Sequence, residues 1–284
     1  MTALLFDTAH SRAPPQPVTH SITQPVPAPR DYISFSAIKT YQSCPLRYFY
    51  RYIAGIPENT ISAAFVFGGA IHRAIEHHFQ SLLENNAAPS QEELLSEYRA
   101  GWQDHSLPIR FSKDEQAASF DDLAVRMLKA FSESDLSRPA GKIIAIEETL
   151  RGDLIPGLPD VLGRVDLIWE TPQELVIADW KTARAKYSQD QVDESAAQLL
   201  LYGELAKDFA PGKQIKLQFG VLTKTKEVSV DSHSFVFDQA QVERTKRIIE
   251  RIWKAIQAEH FYPAPSMMNC PGCPYRDACR KWPG

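Results

Sequence analysis

Three consecutive apolar runs in the middle of the chain constrain its fold more than any other feature of the sequence. Each run is short, is rich in valine, isoleucine and leucine, and is bounded by turn residues such as Pro156-Gly157. This pattern predicts three neighbouring strands, largely antiparallel. The runs cover residues 142–150, 160–169 and 174–180. A further strand pair is predicted over residues 216–222 and 227–237.

Helical patterns lie on both sides of these runs. Four segments before them and two after them have apolar residues at helical spacing, and Asp238 is a typical cap for the last helix. Helices that flank a group of strands predict an α/β protein with a helix-rich N-terminal part. The predicted helices cover residues 37–52, 68–83, 91–102, 116–134, 192–209 and 239 to about 260.

The 284-residue chain has room for one large domain, and its apolar fraction of 44% provides a sizeable core. Residues 1–30 contain six prolines and no apolar periodicity, which predicts a disordered tail. We therefore expect one domain over residues 31–284. A helical insertion is expected at about 85–140 and a cysteine-rich segment at 265–284.

Several classes of protein are disfavoured by what the sequence lacks. It has neither an apolar run of membrane-spanning length nor a secretory signal, which predicts a cytoplasmic protein with reduced cysteines. It also lacks the G-x-x-x-x-G-K-[ST] phosphate loop of ATP-driven motors. The net charge of −4 argues mildly against a nucleic-acid partner, but it is compatible with a local basic groove beside catalytic carboxylates.

Two carboxylates and a lysine are predicted to meet on one face of the sheet. Asp166 lies in the second apolar run, and Asp179 and Lys181 lie at the end of the third. Residues two apart in a strand point to the same side, so Asp179 and Lys181 project together. Carboxylates grouped in this way are typical ligands of Mg²⁺ or Mn²⁺. The alternative is a simple ion pair at a strand end, but the apolar residues before Asp179 favour a buried site.

Four more polar residues are candidates for the same site. His72 and Glu76 are one helical turn apart, and a neutral imidazole is a good metal ligand, although a surface histidine is the alternative. Glu76 either orients His72 or faces solvent. Gln198 and Tyr202 are also one turn apart, where an amide can bind a phosphate and a ring can stack on a base.

All four cysteines fit one sulfur site. Cys270, Cys273 and Cys279 form a C-x2-C-x5-C pattern, and Cys44 stands alone near the start of the predicted fold. Four thiolates bind either zinc or an iron–sulfur cluster, and the spacing alone leaves both open. Such a site would join the two ends of the fold, which predicts a structural role.

In order and spacing, these residues resemble the RecB-like branch of the PD-(D/E)XK nucleases, in particular the CRISPR-associated family-four nucleases and the nuclease domain of AddB. The likeness spans nearly all of the chain after residue 30. The residue before Asp166 is Val165, so the literal Pro-Asp of the superfamily name is missing, as is usual in this branch. The matching motifs are C-P-x-x-[FY]-x-x-x-Y from Cys44, G-x-x-x-H-x-x-x-E from Gly68, G-x-x-D from Gly163, D-x-K from Asp179, Q-x-x-x-Y from Gln198 and C-x2-C-x5-C from Cys270.

The resemblance implies a restriction-endonuclease-like core, which is a mixed central sheet flanked by helices, with an iron–sulfur segment at the C-terminus. It implies that Mg²⁺ or Mn²⁺ binds to His72, Asp166, Asp179 and the Trp180 carbonyl. It also implies that Lys181 positions or activates the water, while Gln198 and Tyr202 assist DNA binding. A four-iron four-sulfur (4Fe–4S) cluster would bind to the cysteines named above, with zinc as the alternative.

The implied activity is hydrolysis of DNA, by an exonuclease acting on single strands or free ends in DNA repair, recombination or CRISPR adaptation. Helicase, recombination or adaptation proteins are the implied partners, with no role for a membrane. The alternative function is that of an iron–sulfur DNA-binding subunit of a larger helicase–nuclease complex, with little activity alone.

Overall fold

A six-stranded mixed sheet forms the centre of the protein. The computed structural model describes residues 30–113 and 115–284, so the tail predicted over residues 1–30 lies, apart from Arg30, outside the described residues. The sheet strands are β1 (Tyr32–Ser34), β4 (Lys142–Gly152), β5 (Asp160–Glu170), β6 (Glu174–Ala183), β7 (Gln214–Thr223) and β8 (Val230–Val236). Two short strands, β2 (Ile61–Ser62) and β3 (Ile109–Arg110), form a separate parallel pair.

Helices cover both faces of the sheet. None of the helices within the described ranges is long and apolar enough to cross a membrane. The α-helices are α1 (Phe35–Ser43), α2 (Pro45–Tyr48), α3 (Ala63–Asn85), α4 (Gln91–Gln103), α5 (Ala117–Ser132), α6 (Gln189–Leu205), α7 (Gln239–Gln257) and α8 (Arg276–Arg280).

The strand order is β1-β5-β6-β7-β8, with β4 on the other edge of β5. The predicted antiparallel pairing of β4, β5 and β6 is confirmed. Strand β7 runs parallel to β6, because α6 carries the chain back across the sheet between them. The sheet is therefore mixed.

Strands β5 and β6 separate part of the way along their length. Their ladder covers only Leu167–Glu170 with Leu175–Ala178. Beyond it, the free edge of β5 pairs instead with β1, in parallel, from Asp160 to Leu162. The resulting fork opens directly beside Asp166 and Asp179, which are the first residues outside the ladder.

Alternation along β6 supplies apolar residues to both layers. Val176, Ala178 and Trp180 pack towards α3, α4 and α5, whereas Leu175 and Ile177 pack towards α6. The Trp180 ring stacks on Phe79 of α3, with ring centroids 5.7 Å apart. Both layers exclude water, so the fork is held between two rigid apolar cores.

The prediction of one helix over residues 37–52 is wrong. The helix stops at Cys44, which is extended (φ −166°, ψ 106°), and a new helix begins at Pro45. Proline disfavours helical backbone in the residue before it and is accepted at the first position of a helix, which accounts for the break. A π-helical turn, Phe49–Ile53, ends the segment.

Other differences from the sequence-based prediction concern element ends. The helix predicted over residues 192–209 begins earlier, at Gln189, because Ser188 and Gln191 form a capping box. It ends at Leu205 and is followed by a short 3₁₀ turn, Lys207–Phe209. The strand predicted over residues 227–237 is reduced to β8.

Candidate active site

The fork between β5 and β6 brings the two predicted carboxylates together. The backbone N–H of Trp180 donates to Asp166 Oδ2 at 2.7 Å, so this side chain joins the strands where their ladder has ended. Asp166 is 9% exposed and Asp179 only 3%. Buried carboxylates need a cation or several hydrogen bonds, so the fork is suited to a positive charge.

Lys181 and Gln198 surround Asp179. The Lys181 ammonium lies 2.5 Å from Asp179 Oδ2 and donates to Gln198 Oε1 at 3.2 Å. The Gln198 amide donates to Asp179 Oδ1 at 3.0 Å and to the Tyr202 hydroxyl at 2.9 Å. Helix α6 thus contributes one amide that contacts the carboxylate, the lysine and the tyrosine.

Tyr202 is fixed by a close approach to the backbone. Its ring lies over Gly163, where an added Cβ atom would be 2.2 Å from Tyr202 Cε1. Only glycine leaves room for the ring at this point, which gives the G-x-x-D motif a steric reason. The ring is 6% exposed, and its hydroxyl group is bonded to Gln198.

His72 of α3 meets Asp166 from the opposite layer. Its Nδ1 atom lies 3.4 Å from Asp166 Oδ2. His72, Glu147 and Asp166 each offer one ligand atom, and these three atoms lie within 4.8 Å of one another, which is close enough to hold a metal ion. In the part of the chain that the structure describes, no other set of three or more histidine, cysteine or acidic side chains is as close.

Glu147 belongs to the site but was not singled out in the sequence. It lies in β4 between residues that pair with Leu167 and Val165, which places it opposite Asp166. Its backbone is left-handed, with φ 51°, and its carboxylate pairs with Arg164 Nε at 2.5 Å. A left-handed non-glycine residue inside a strand is uncommon and often marks a functional position.

Acidic side chains lie close together at the fork, and their burial and closeness shift the pKa values of two of them. Burial, and then the neighbouring Asp179, hold the pKa of Asp166 well above its usual range. Burial, followed by Asp166, raises the pKa of Glu147 to about 7. Burial lowers the pKa of His72, so its imidazole is neutral. Acidic groups that resist ionisation, next to a neutral imidazole, form a suitable donor set for a divalent cation.

Glu76 is the last polar residue that the sequence suggested for this site. It lines the cleft that extends from the fork and accepts a hydrogen bond from the Gln80 amide at 3.1 Å, but it forms none with His72 among the described residues. The cleft has a volume of about 1300 Å³, and Phe65 on its lining is 69% exposed. The cleft also contains Lys224, which has no ion pair with any described residue.

The four cysteines line one small cavity, of about 70 Å³, between the N-terminal helices and the C-terminal segment. The backbone N–H groups of Ala264 and Ser266 donate to the sulfur atoms of Cys44 and Cys270, at 3.5 and 3.3 Å. Burial, and then the three other cysteines, raise the pKa of the Cys279 thiol. The four cysteines therefore share one cavity, but among the described residues no three of their sulfur atoms lie within 4.8 Å of one another.

Comparisons with known proteins agree with this geometry. The sequence profile of the PD-(D/E)XK nuclease superfamily matches residues 32–280. The chain therefore belongs to this superfamily of metal-dependent nucleases, as the motifs predicted. No curated protein is significantly similar to it in sequence.

Among solved structures, a protein provisionally named an exonuclease, from Eubacterium rectale, is 14% identical, with 88% of each chain covered and a TM-score of 0.53. This likeness confirms the fold, a mixed sheet flanked by helices. A second structure, of a protein called SSO0001, is 12% identical over 87% of this chain and 95% of its own, but its TM-score of 0.36 is too low to support a conclusion about the fold.

Proposed function

We propose that this chain is a metal-dependent DNA exonuclease of the RecB-like branch, which hydrolyses phosphodiester bonds at the fork. The observation that supports this function most strongly is the convergence of His72, Asp166, Asp179 and Lys181 from three different elements. A structural ion pair at a strand end would require only the last two. The exposed ring of Phe65 on the cleft can stack on unpaired bases, which supports single-stranded DNA as the substrate.

The side chains at the fork fit a divalent ion. His72, Asp166, Asp179 and the Trp180 carbonyl would hold Mg²⁺ or Mn²⁺, and Glu147 lies close enough to bind it or to orient its water. Such an ion supplies a positive charge for the phosphate and lowers the pKa of a bound water. Hard oxygen donors and one neutral imidazole match both metals.

Lys181 is proposed to orient the attacking water as a charged ammonium group. Burial disfavours its charged form, but Asp179 outweighs this effect, so the pKa of Lys181 is raised. An ammonium held in this way can also stabilise negative charge on the phosphate during the reaction. Gln198 fixes the direction of both side chains, and Tyr202 in turn fixes Gln198.

The cysteines are proposed to hold a 4Fe–4S cluster that fastens the C-terminal segment to the N-terminal helices. The cavity that they share and the two N–H···S bonds support a four-sulfur site. Zinc is the alternative, and visible absorbance distinguishes the two, because an iron–sulfur cluster absorbs near ~400 nm and zinc does not. Reduced thiols are needed in either case, which supports a cytoplasmic location.

Within the RecB-like branch, the proposed roles are DNA repair, recombination or CRISPR adaptation, with a helicase or an adaptation protein as partner. The test is degradation of end-labelled single-stranded and double-stranded DNA with Mn²⁺, with Mg²⁺ and with EDTA. We expect metal-dependent degradation that Lys181→Ala abolishes and Lys142→Ala, an exposed control, leaves intact. A wild-type protein that degrades neither DNA, while still binding it, would instead be a DNA-binding subunit of a larger complex.

A further inference from the structure

A second cavity, here called the side pocket, adjoins the cleft at the fork. Its volume is about 440 Å³, and it shares Ser36, Arg164, Lys181 and Gln198 with the cleft. The boundary between the two spaces thus includes the lysine and the amide that contact Asp179. A DNA strand with one phosphate at the fork can therefore place its next nucleotide in the side pocket.

The side pocket differs from the cleft in charge. Six acidic residues line the cleft, whereas none of the described residues lining the side pocket is acidic. Three cationic side chains line it, but two of these are already paired, Arg164 with Glu147 and Lys181 with Asp179. The third, Lys39, forms no ion pair with any described residue, so its charge is available for a phosphate.

An aromatic ring lies next to this lysine. Phe35 and Lys39 are one helical turn apart in α1, and the Lys39 ammonium is 5.9 Å from the centre of the Phe35 ring. A nucleotide consists of a flat base and an anionic phosphate, which are the groups that a ring and a free ammonium bind. The volume lies at the lower end of the range for small-ligand pockets, roughly 300–1000 Å³, and suits one nucleotide.

Part of the wall of the side pocket is paired backbone of the central sheet. Ser34 of β1 and Leu162 of β5 both line it, and they are register partners in the sheet. A strand that continued towards this part of the wall would meet the paired backbone of β1 and β5. A chain end does not need to pass it.

We propose that the side pocket binds the terminal nucleotide of a DNA strand, with its base on Phe35 and its terminal phosphate on Lys39, while the adjacent phosphodiester lies at the fork. This inference rests on the proposed nuclease function and makes the enzyme dependent on a strand end. The terminal phosphate can be at the 5′ or the 3′ end, and the substrates below distinguish the two.

The first test compares cleavage of linear single-stranded DNA that carries a 5′-phosphate, a 3′-phosphate or only hydroxyl ends with cleavage of a circular strand. We expect wild type to degrade one phosphate-ended strand about tenfold faster than the hydroxyl-ended strand, the effect of one charge-assisted contact, and to leave the circle uncut. Lys39→Ala should abolish this preference and Lys39→Arg should keep it, with Lys142→Ala as the surface control. Equal rates on linear and circular DNA would overturn the pocket and leave the nuclease function standing.

The second test does not depend on cleavage. Binding of the same short oligonucleotides is measured by fluorescence anisotropy in EDTA. The preferred phosphate-ended strand should bind wild type about tenfold more tightly than the hydroxyl-ended strand, and Lys39→Ala should bind both equally. If wild type already binds both equally, the proposal is wrong, whatever the outcome of the nuclease assay.

Discussion

Replacing Gly163 by alanine should disable the site without touching any of its polar groups. The new Cβ atom would be 2.2 Å from Tyr202 Cε1 and 2.6 Å from Cδ1, whereas carbon atoms in contact prefer about 3.5–4.0 Å. The buried ring must therefore move by more than about 1 Å. Overpacking of this kind costs about 1–3 kcal/mol of unfolding free energy. Loss of the Tyr202–Gln198 hydrogen bond would add about 1 kcal/mol.

The displaced ring should also affect catalysis, because Tyr202 holds Gln198, which holds both Asp179 and Lys181. We expect the rate of DNA cleavage by Gly163→Ala to fall at least about tenfold under conditions where the protein is still folded. Unfolding in urea, monitored by circular dichroism, gives the stability, and release of end label gives the rate. Gly69→Ala is the matched control for stability, because nothing lies within 4 Å of its Cβ position in α3.

A second substitution tests the steric explanation itself. Tyr202→Leu should remove the clash, so the loss of stability in the double variant should be smaller than the sum of the two single losses by about 1–2 kcal/mol. Gly163→Ala with a stability within about 0.5 kcal/mol of wild type and full activity would refute the reasoning. So would strictly additive losses in the double variant.

Three further predictions concern other parts of the chain. Phe79→Ala should cost about 3–5 kcal/mol of unfolding free energy, because the ring is fully buried and stacks on Trp180; a loss below about 1 kcal/mol in urea would contradict this. Cys44→Ser should remove visible absorbance and lower the melting temperature, whereas unchanged iron content would exclude Cys44 as a ligand. Burial lowers the pKa of His78 in the folded protein below its usual value of 6.5. As the pH falls through 6.5, His78 is therefore protonated in the unfolded protein before it is protonated in the folded protein, and the free energy of unfolding should fall. Unfolding measured from pH 7.5 to pH 5 should show a smaller loss in His78→Gln, and an identical loss would disprove the assignment.

Much of the site could be predicted from local sequence. The pairing of β4, β5 and β6 follows from apolar runs separated by short turns, and the alternation of strand residues puts Asp179 and Lys181 together. Helical spacing likewise puts Gln198 and Tyr202 on one face of α6. These relations act over a few residues, so the sequence carries them directly.

Other features depend on contacts between distant segments. Glu147 enters the site through its register opposite Asp166 and a left-handed backbone, and neither leaves a mark in the apolar pattern of β4. Strand β1 has three residues, too few for periodicity, and its pairing with β5 creates the fork. Two of the differences had an available local signal, because Pro45 follows the break at Cys44 and the capping box of Ser188 and Gln191 marks the start of α6.

Binding of Mn²⁺ to the metal-free protein tests the central claim most directly. Asp166→Asn keeps the shape of the side chain and an oxygen for the Trp180 N–H, but removes a charge from the fork, while Asp208→Asn changes an exposed carboxylate elsewhere. Titration followed by electron paramagnetic resonance should show a Mn²⁺ site in wild type and Asp208→Asn that is weakened at least about tenfold in Asp166→Asn. Equal Mn²⁺ affinity in all three folded proteins would contradict a metal centre at Asp166, and with it the proposed mechanism.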